Sequence, residues 1–419
     1  MIKIKKIVAL SVGLIMSVSI FTGCSTDGLA LMNAFGKSQE INSMQSKTDI
    51  SIKVSGANMS AQEEEMMKTM LPMVNGTSMS ILSKTNQNKE KTIAKAQSDI
   101  SLKLGQMPDA INMSVWVDVD ATADKPILNE VIKIPQLLSA QFPKELQGKD
   151  YMVMNLADMT KGTPGTPGMP QINYKKLMSF SKEFQPKALD FMVKYAKQFK
   201  PGTEYIRRVG SQRFLQDNKM VSSDTYEVKL TDESFKELMH YTLNNLAENK
   251  DAMNFVKEYM TSMMSIYDVT DAQGKATQDE MNKAFENLTT ELPQGIATLN
   301  SALDSIKNLK ILGNNGITIR YTVNDEGYII SEKGNAEFVV DLPSIMKLAG
   351  SAVAGSSTSD PTGIYTIGIT FNTDMTNINE KVDIVTPIVN STNSFNYTDM
   401  LKMVPTGVPA AAPTKLPTK

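Results

Sequence analysis

This chain of 419 residues is poor in the side chains on which most site chemistry depends. It has one cysteine, Cys24, and one histidine, His240. A single thiol excludes an internal disulfide, so any folded domain must be held by its hydrophobic core, which a chain of this length can supply. Together the two cannot furnish a closed nitrogen and sulfur zinc site, and any Ser-His-Asp or Cys-His mechanism would have to use His240. That residue falls in a helical stretch between Met239 and Tyr241 with no nucleophile-elbow pattern near it, so no enzymatic activity and no catalytic residue are expected. Arginine occurs only at Arg207, Arg208, Arg213 and Arg320, and 43 basic residues stand against 45 acidic ones. Neither the charge nor the scarcity of bidentate phosphate readers suits a nucleic-acid partner. Aromatics make up only 6% of the chain. Long apolar runs are also scarce, the clearest being Ile7 to Phe21, which is shorter than the roughly 20 residues a spanning helix needs.

That run is preceded by Lys3, Lys5 and Lys6 and followed by Thr22-Gly23-Cys24. A basic start, a short apolar stretch and a small-residue end read as an export signal over residues 1–23. Phe21-Thr22-Gly23-Cys24 resembles the lipobox of prolipoproteins, with Phe21 in the place usually held by leucine. The resemblance implies that the Cys24 thiol takes a diacylglyceryl group, as in palmitate-bearing lipoproteins, and becomes the mature N-terminus. Two acyl chains, each gaining about 0.8 kcal/mol per buried methylene, would hold the protein on the outer face of the cell membrane. Without its three signal lysines the chain keeps all its acidic residues, and its net charge becomes about −5.

What the sequence has in quantity is alternation. Ile50, Ile52 and Val54 alternate with polar residues, as do Met79 and Ile81, then Ile100, Leu102 and Leu104, then Met113, Val115, Val117 and Val119. A period of two marks strands with one apolar and one wet face, and short polar connections make neighbours antiparallel. The spacing predicts Ile52, Leu102 and Val117 buried on one face, with Ser51, Lys103 and Asp118 on the other. The pattern runs on through Val131 to Ile134 and Lys149 to Met154, then Arg213 to Gln216 and Thr225 to Leu230. A second meander follows at Ile317 to Val323, Tyr328 to Ile330, Phe338 to Val340, Tyr365 to Phe371 and Val382 to Ile384. About a dozen strands are expected, and a sheet of that size tends to curl or split.

Helices are expected at Leu29 to Ile41, Asn173 to Phe199 with a kink at Pro186, from Thr231 as N-cap, Asp251 to Met264, and Thr277 to Leu309 with a break near Pro293. Thr160 to Gly168 and Gly350 to Gly363 read as loops, and the tail 404–419 as disordered. The main domain would span 24–403, although two smaller units meeting near residue 270 can also be drawn.

The lipobox, an N-terminal helix and a meander with one apolar face resemble LolA/LppX-like half-barrel lipoproteins. Gly148-Lys149-Asp150-Tyr151-Met152-Val153-Met154 and Asn377-Ile378-Asn379 are also similar to uncharacterised exported lipoproteins of Firmicutes, some of which carry a copper-amine-oxidase-like N-terminal domain. The resemblance implies an α+β fold, a large antiparallel, unclosed half-barrel sheet with inserted helices on its concave face. It further implies a lipid or other apolar ligand held against that face. No cofactor is expected.

Between the first two strands, Ser60 and Glu63 form a capping box before Met66, Met67, Met70, Leu71, Met73 and Val74. Flexible thioethers suit a lid over varied acyl chains, while an amphipathic cap on the sheet is the plainer alternative. The candidate ligand-binding set is therefore Ile52, Val54, Met66, Met70, Met79, Ile81, Leu102, Leu104, Val115 and Val117. No metal site is expected: the 29 methionines form no Met-x-Met cluster backed by His or Cys to hold copper, and Asp268 to Gly274 places its glycine wrongly for a calcium loop. Asp118 and Asp120 share a wet strand face, where acidic pairs are common. A structural or sensory envelope protein, its half-barrel filled by its own helices, remains the alternative to a ligand binder.

Overall fold

The computed structural model describes residues 25–105, 107–122, 127–139, 142–155, 171–172, 174–198, 200–216, 219–268, 288–349 and 362–403. The expected signal, Cys24, the Thr160 to Gly168 loop, most of Gly350 to Gly363 and the tail lie outside them.

Helix α1 (Thr26–Ser38) starts where Ser25 accepts the Gly28 amide and Asp27 occupies the first turn, both favourable at a helix N-terminus. It leads into β1 (Ser43–Ala57), followed by α2 (Ala61–Val74), β2 (Ser78–Gln87), β3 (Ile93–Lys103), β4 (Ile111–Asp120) and β5 (Ile127–Lys133). A four-residue helix α3 (Gln136–Ser139) and β6 (Tyr151–Asn155) complete the first meander. The middle of the chain contributes β7 (Gln171–Ile172), α4 (Tyr174–Gln198), β8 (Ile206–Gln216), β9 (Lys219–Leu230), α5 (Asp232–Glu248), α6 (Lys250–Ser265), β10 (Tyr267–Asp268) and α7 (Leu288–Ser305). Strands β11 (Leu312–Asn324) and β12 (Ile329–Asp341), helix α8 (Leu342–Ala349), β13 (Ile364–Thr376), β14 (Ser394–Asn396) and α9 (Tyr397–Met403) follow.

Twelve strands form one sheet in the order β14-β6-β5-β4-β3-β2-β1-β13-β12-β11-β9-β8. The end strands β14 and β8 do not pair with each other, so the sheet is an unclosed half-barrel, antiparallel except where β14 joins β6. A long β1–β13 ladder, from Gln45↔Thr376 to Ala57↔Ile364, welds the two meanders together, so the sheet is continuous across the proposed division near residue 270.

Three details differ from the sequence reading. Tyr328 belongs to a turn, and Ile329 to Asp341 is one continuous strand. Val382 to Ile384 is not a strand, because both edges of the adjoining β13 are already taken by β1 and β12. Helix α7 is continuous through Pro293 over its described span, Leu288–Ser305, so the expected break is not found there; 277–287 lie outside the described residues.

The core gathers over β8, β9 and β11. Ile206, Tyr226, Val228, Leu230 and Tyr321 meet Leu31 of α1, Phe191 and Tyr195 of α4, Leu238 and Leu243 of α5, and Phe255 of α6. Phe191 and Phe255 stack with centroids 4.1 Å apart, and Phe35 of α1 meets Tyr321 edge-on at 5.1 Å. Helices α1 and α5 lie directly on this apolar sheet face, and α4, α6 and α7 pack chiefly against other helices of the lobe.

Candidate functional site

The strand register carries that apolar face well beyond the helical lobe. Ile50 lies opposite Phe371 on one side and Met79 on the other, Met79 opposite Leu102, and Leu102 opposite Ile111. Ile81 pairs with Ile100 and Ile100 with Met113, while Val115 pairs with Ile132. Since side chains alternate, Ile52, Val54, Met79, Ile81, Leu102, Val115 and Val117 share one face, and Leu104 continues its line just past β3. All eight are half-buried, which corrects the expectation that Ile52, Leu102 and Val117 would be buried. The reason is coverage: the buried core cluster draws on the helical lobe and none of these residues belongs to it. Ser51 and Lys103 are exposed on the opposite face, and Asp118 pairs there with Lys95 at 3.4 Å. Gly334 keeps the face smooth at β12, since a Cβ there would lie 2.5 Å from the Phe371 ring.

Helix α2 sits at one end of this face. Its capping box forms, with the Ser60 hydroxyl accepting the Glu63 amide and Glu63 accepting the Ser60 amide at 2.7 Å. Glu63 does more than cap. It also accepts the Thr362 hydroxyl at 2.9 Å and the Thr362 and Gly363 amides at 3.2 Å, tying α2 to the start of β13. The Ser60 amide above all, with the Ser60 and Thr362 hydroxyls, holds the Glu63 carboxyl down to about 2 against the opposing effect of burial. At the other end of the helix, the Asn75 side chain bonds both the amide and the carbonyl of Val54. Met67 faces inward and is buried, whereas Met66 is 54% and Met70 48% exposed, with Met73 beside them. The two candidate lid residues therefore form an outward stripe.

Sequence reading missed two further apolar helices at the same end of the sheet. Helices α3 and α8 leave β5 and β12 at the same sheet end from which α2 leaves β1, as the pairs Ala57↔Ile364 and Asp341↔Ile364 place β1 and β12. They expose Leu137 and Leu138, and Ile345 and Leu348. Short Leu-rich and Ile-rich stretches after strands were the available signal.

On the apolar face of β1 to β6, β12 and β13, two carboxylates stand among the described residues. Glu332 lies between Tyr321 and Thr373, and Glu130 between Val117 and Met154. Burial pushes the Glu332 carboxyl up, and burial also raises the neighbouring Tyr321 hydroxyl.

The other candidates are accounted for by local partners. His240 Nδ1 lies 3.1 Å from Asn300 Oδ1, and its Nε2 3.6 Å from Asp304. Asp120 accepts the Thr122 hydroxyl and amide, which lowers its carboxyl. A cavity of about 340 Å³ opens between α4 and α6, lined by Phe180, Phe184, Glu183 and Lys187 among others. Among the described residues, no cluster of three or more His, Cys, Asp or Glu side chains could hold a metal, and no helix is long and apolar enough to cross a membrane.

Compared with known proteins, the chain matches no family model, no curated sequence and no solved structure.

Proposed function

We propose that this chain is a membrane-anchored extracytoplasmic lipoprotein, acylated at Cys24, that binds a lipid or other apolar ligand on the uncovered part of its sheet. The observation that carries the reading is the half-buried apolar face built in register by β1 to β4 and β13. A protein that needed those side chains only for its own core would cover them, and a contiguous apolar surface of several strands usually marks a binding site. The exposed apolar side chains of α2, α3 and α8 at one end offer a path by which a chain could pass from a bilayer. LolA/LppX-like half-barrels are the family this proposal draws on, and the role is binding without catalysis.

The alternative, a structural or sensory envelope protein with protein or cell-wall partners, draws on the close packing of the helical lobe. Purification of the full chain from bacterial membranes, solvent extraction and mass spectrometry separate the two. A ligand binder is expected to carry lipid in near-stoichiometric amount beyond its own anchor, lost in the double variant Ile52→Asp, Leu102→Asp. Equal lipid content in both proteins would sink the reading. For the anchor, Cys24→Ser is expected to release the protein from membranes or leave it unprocessed, and unchanged size with unchanged detergent partitioning would refute it.

A further inference from the structure

Charge is distributed unequally between the two faces of the open region. On β1 to β6, β12 and β13, register places Lys47, Lys53, Lys84, Lys95, Lys103, Lys133 and Lys333 on the face opposite the apolar one. The apolar face of those strands carries no lysine or arginine among the described residues, and its charged side chains are Glu130 and Glu332.

Polarity along the face is graded as well. From Glu332 towards the α8 end, the β12 side chains on this face are Gly334, Ala336, Phe338 and Val340, flanked on β13 by Phe371, Ile369 and Ile367. Eight residues of strand give about 26 Å of apolar track, longer than the roughly 15 Å that one leaflet's hydrocarbon occupies. At the Glu332 end the face turns to hydroxyls. Thr373 lies directly opposite Glu332, and its Oγ1 is 2.9 Å from that of Thr48 on the next strand. Farther along, the Ser83 and Ser98 hydroxyls sit 3.0 Å apart.

Glu332 forms no hydrogen bond or ion pair with any described residue. A carboxylate standing in apolar surroundings without a cation is unfavourable, and its natural complement is a positive group brought by a ligand. Resting on the apolar-ligand reading above, we infer that the occupant of this face is an amphipath with an ammonium head, placed with its head at Glu332 and Thr373 and its chain along the track towards α2 and α8. A fatty-acid carboxylate in the same place would find no positive partner and would face a like charge.

The test uses the chain produced without the export signal, residues 1–23, and carrying Cys24→Ser, so that no detergent competes. A neutral naphthyl fluorophore is bound at neutral pH and displaced by decylamine, decanol or decanoate, each kept below the concentration at which it aggregates or separates. The amine is expected to displace the probe at a concentration about tenfold lower than decanoate, with the alcohol between them. Glu332→Gln, which keeps the shape and removes the charge, is expected to bring the amine to the level of the alcohol. Decanoate displacing the bound probe as well as the amine does would overturn the head-group inference while leaving the apolar site in place. Loss of amine preference in Glu130→Gln and not in Glu332→Gln would overturn the assignment to Glu332. A wild-type chain that binds neither the probe nor any of the three would overturn the inference and the apolar-ligand reading together.

Discussion

Two regions of one sheet carry the same kind of strand and meet different surroundings. On β9 and β11, Val228 and Ile319 point into the α1, α5 and α6 lobe, and Val228 is 0% exposed. Continuing the same row across the sheet, through Gly334 and Phe371, leads to Ile50, which is only half-buried. Alternation tells which side chains share a face. What covers the face is decided by where the chain spends its helices, and here the four longest described ones, α4 to α7, follow β7, β9 and β10 on one side of the β1–β13 joint.

One carboxylate placed in each region gives the largest expected difference between them. Val228→Asp would bury a charge with no partner in the helical lobe, and a loss of about 4 kcal/mol or more, or failure to fold, is expected. Ile52→Asp, on the open part of the same face, is expected to cost about 1 kcal/mol, since water reaches the new group. Urea unfolding of the two variants measures the difference. Equal losses would mean that the open region is closed over in solution.

Much of this was legible in the chain. The alternating runs located the strands of the first meander because half-solvated strands keep a strict period, and Thr231 and the Ser60-Glu63 pair marked helix starts by their capping chemistry. The β1–β13 pairing was not legible, since it joins residues more than 300 positions apart and no local signal records it. Nor was the unequal burial: Ile52 and Val228 both look like core in a strand pattern. Short helices α3 and α8 were missed because four to eight residues give too little period to read. Glu332 was hidden for a related reason, as its significance depends on the lysines being on the other face.

A smaller effect is expected at α2, where Glu63 holds the helix to the start of β13. Its carboxyl is depressed to about 2 in the folded chain from an ordinary value of 4.5. A depressed acid stabilises the state that holds it when ionised, so the contribution is full above about pH 4.5 and is lost as pH falls towards 2. Protection of the α2 amides, taken relative to the intrinsic exchange rate at each pH, is therefore expected to fall several-fold over that window, ahead of β9 and β11. Glu63→Gln should show faster α2 exchange at neutral pH and lose most of this acid response. An α2 that exchanges at the same rate in wild type and variant would show that the latch does not hold it.

The smallest effect on stability is expected where the largest effect on ligand binding is proposed. Met66 and Met70 point outward from α2, while Met67 and Glu63 make its inward contacts. Replacing both by aspartate removes no buried contact, and their unfolding free energy should change by no more than about 0.5 kcal/mol. If these thioethers meet the acyl chain on its way to the face, the same double variant should weaken binding of a neutral fluorescent lipid by about tenfold, chiefly through slower uptake. Met67→Asp supplies the contrast, because its buried carboxylate should loosen α2 itself and raise exchange of its amides. Loss of binding in the outward pair with α2 exchange unchanged would assign Met66 and Met70 to the ligand path. Binding that survives in the outward pair and falls only with Met67→Asp would make α2 a plain cap on the sheet end, and the comparison between covered and uncovered halves would then stand without a lid.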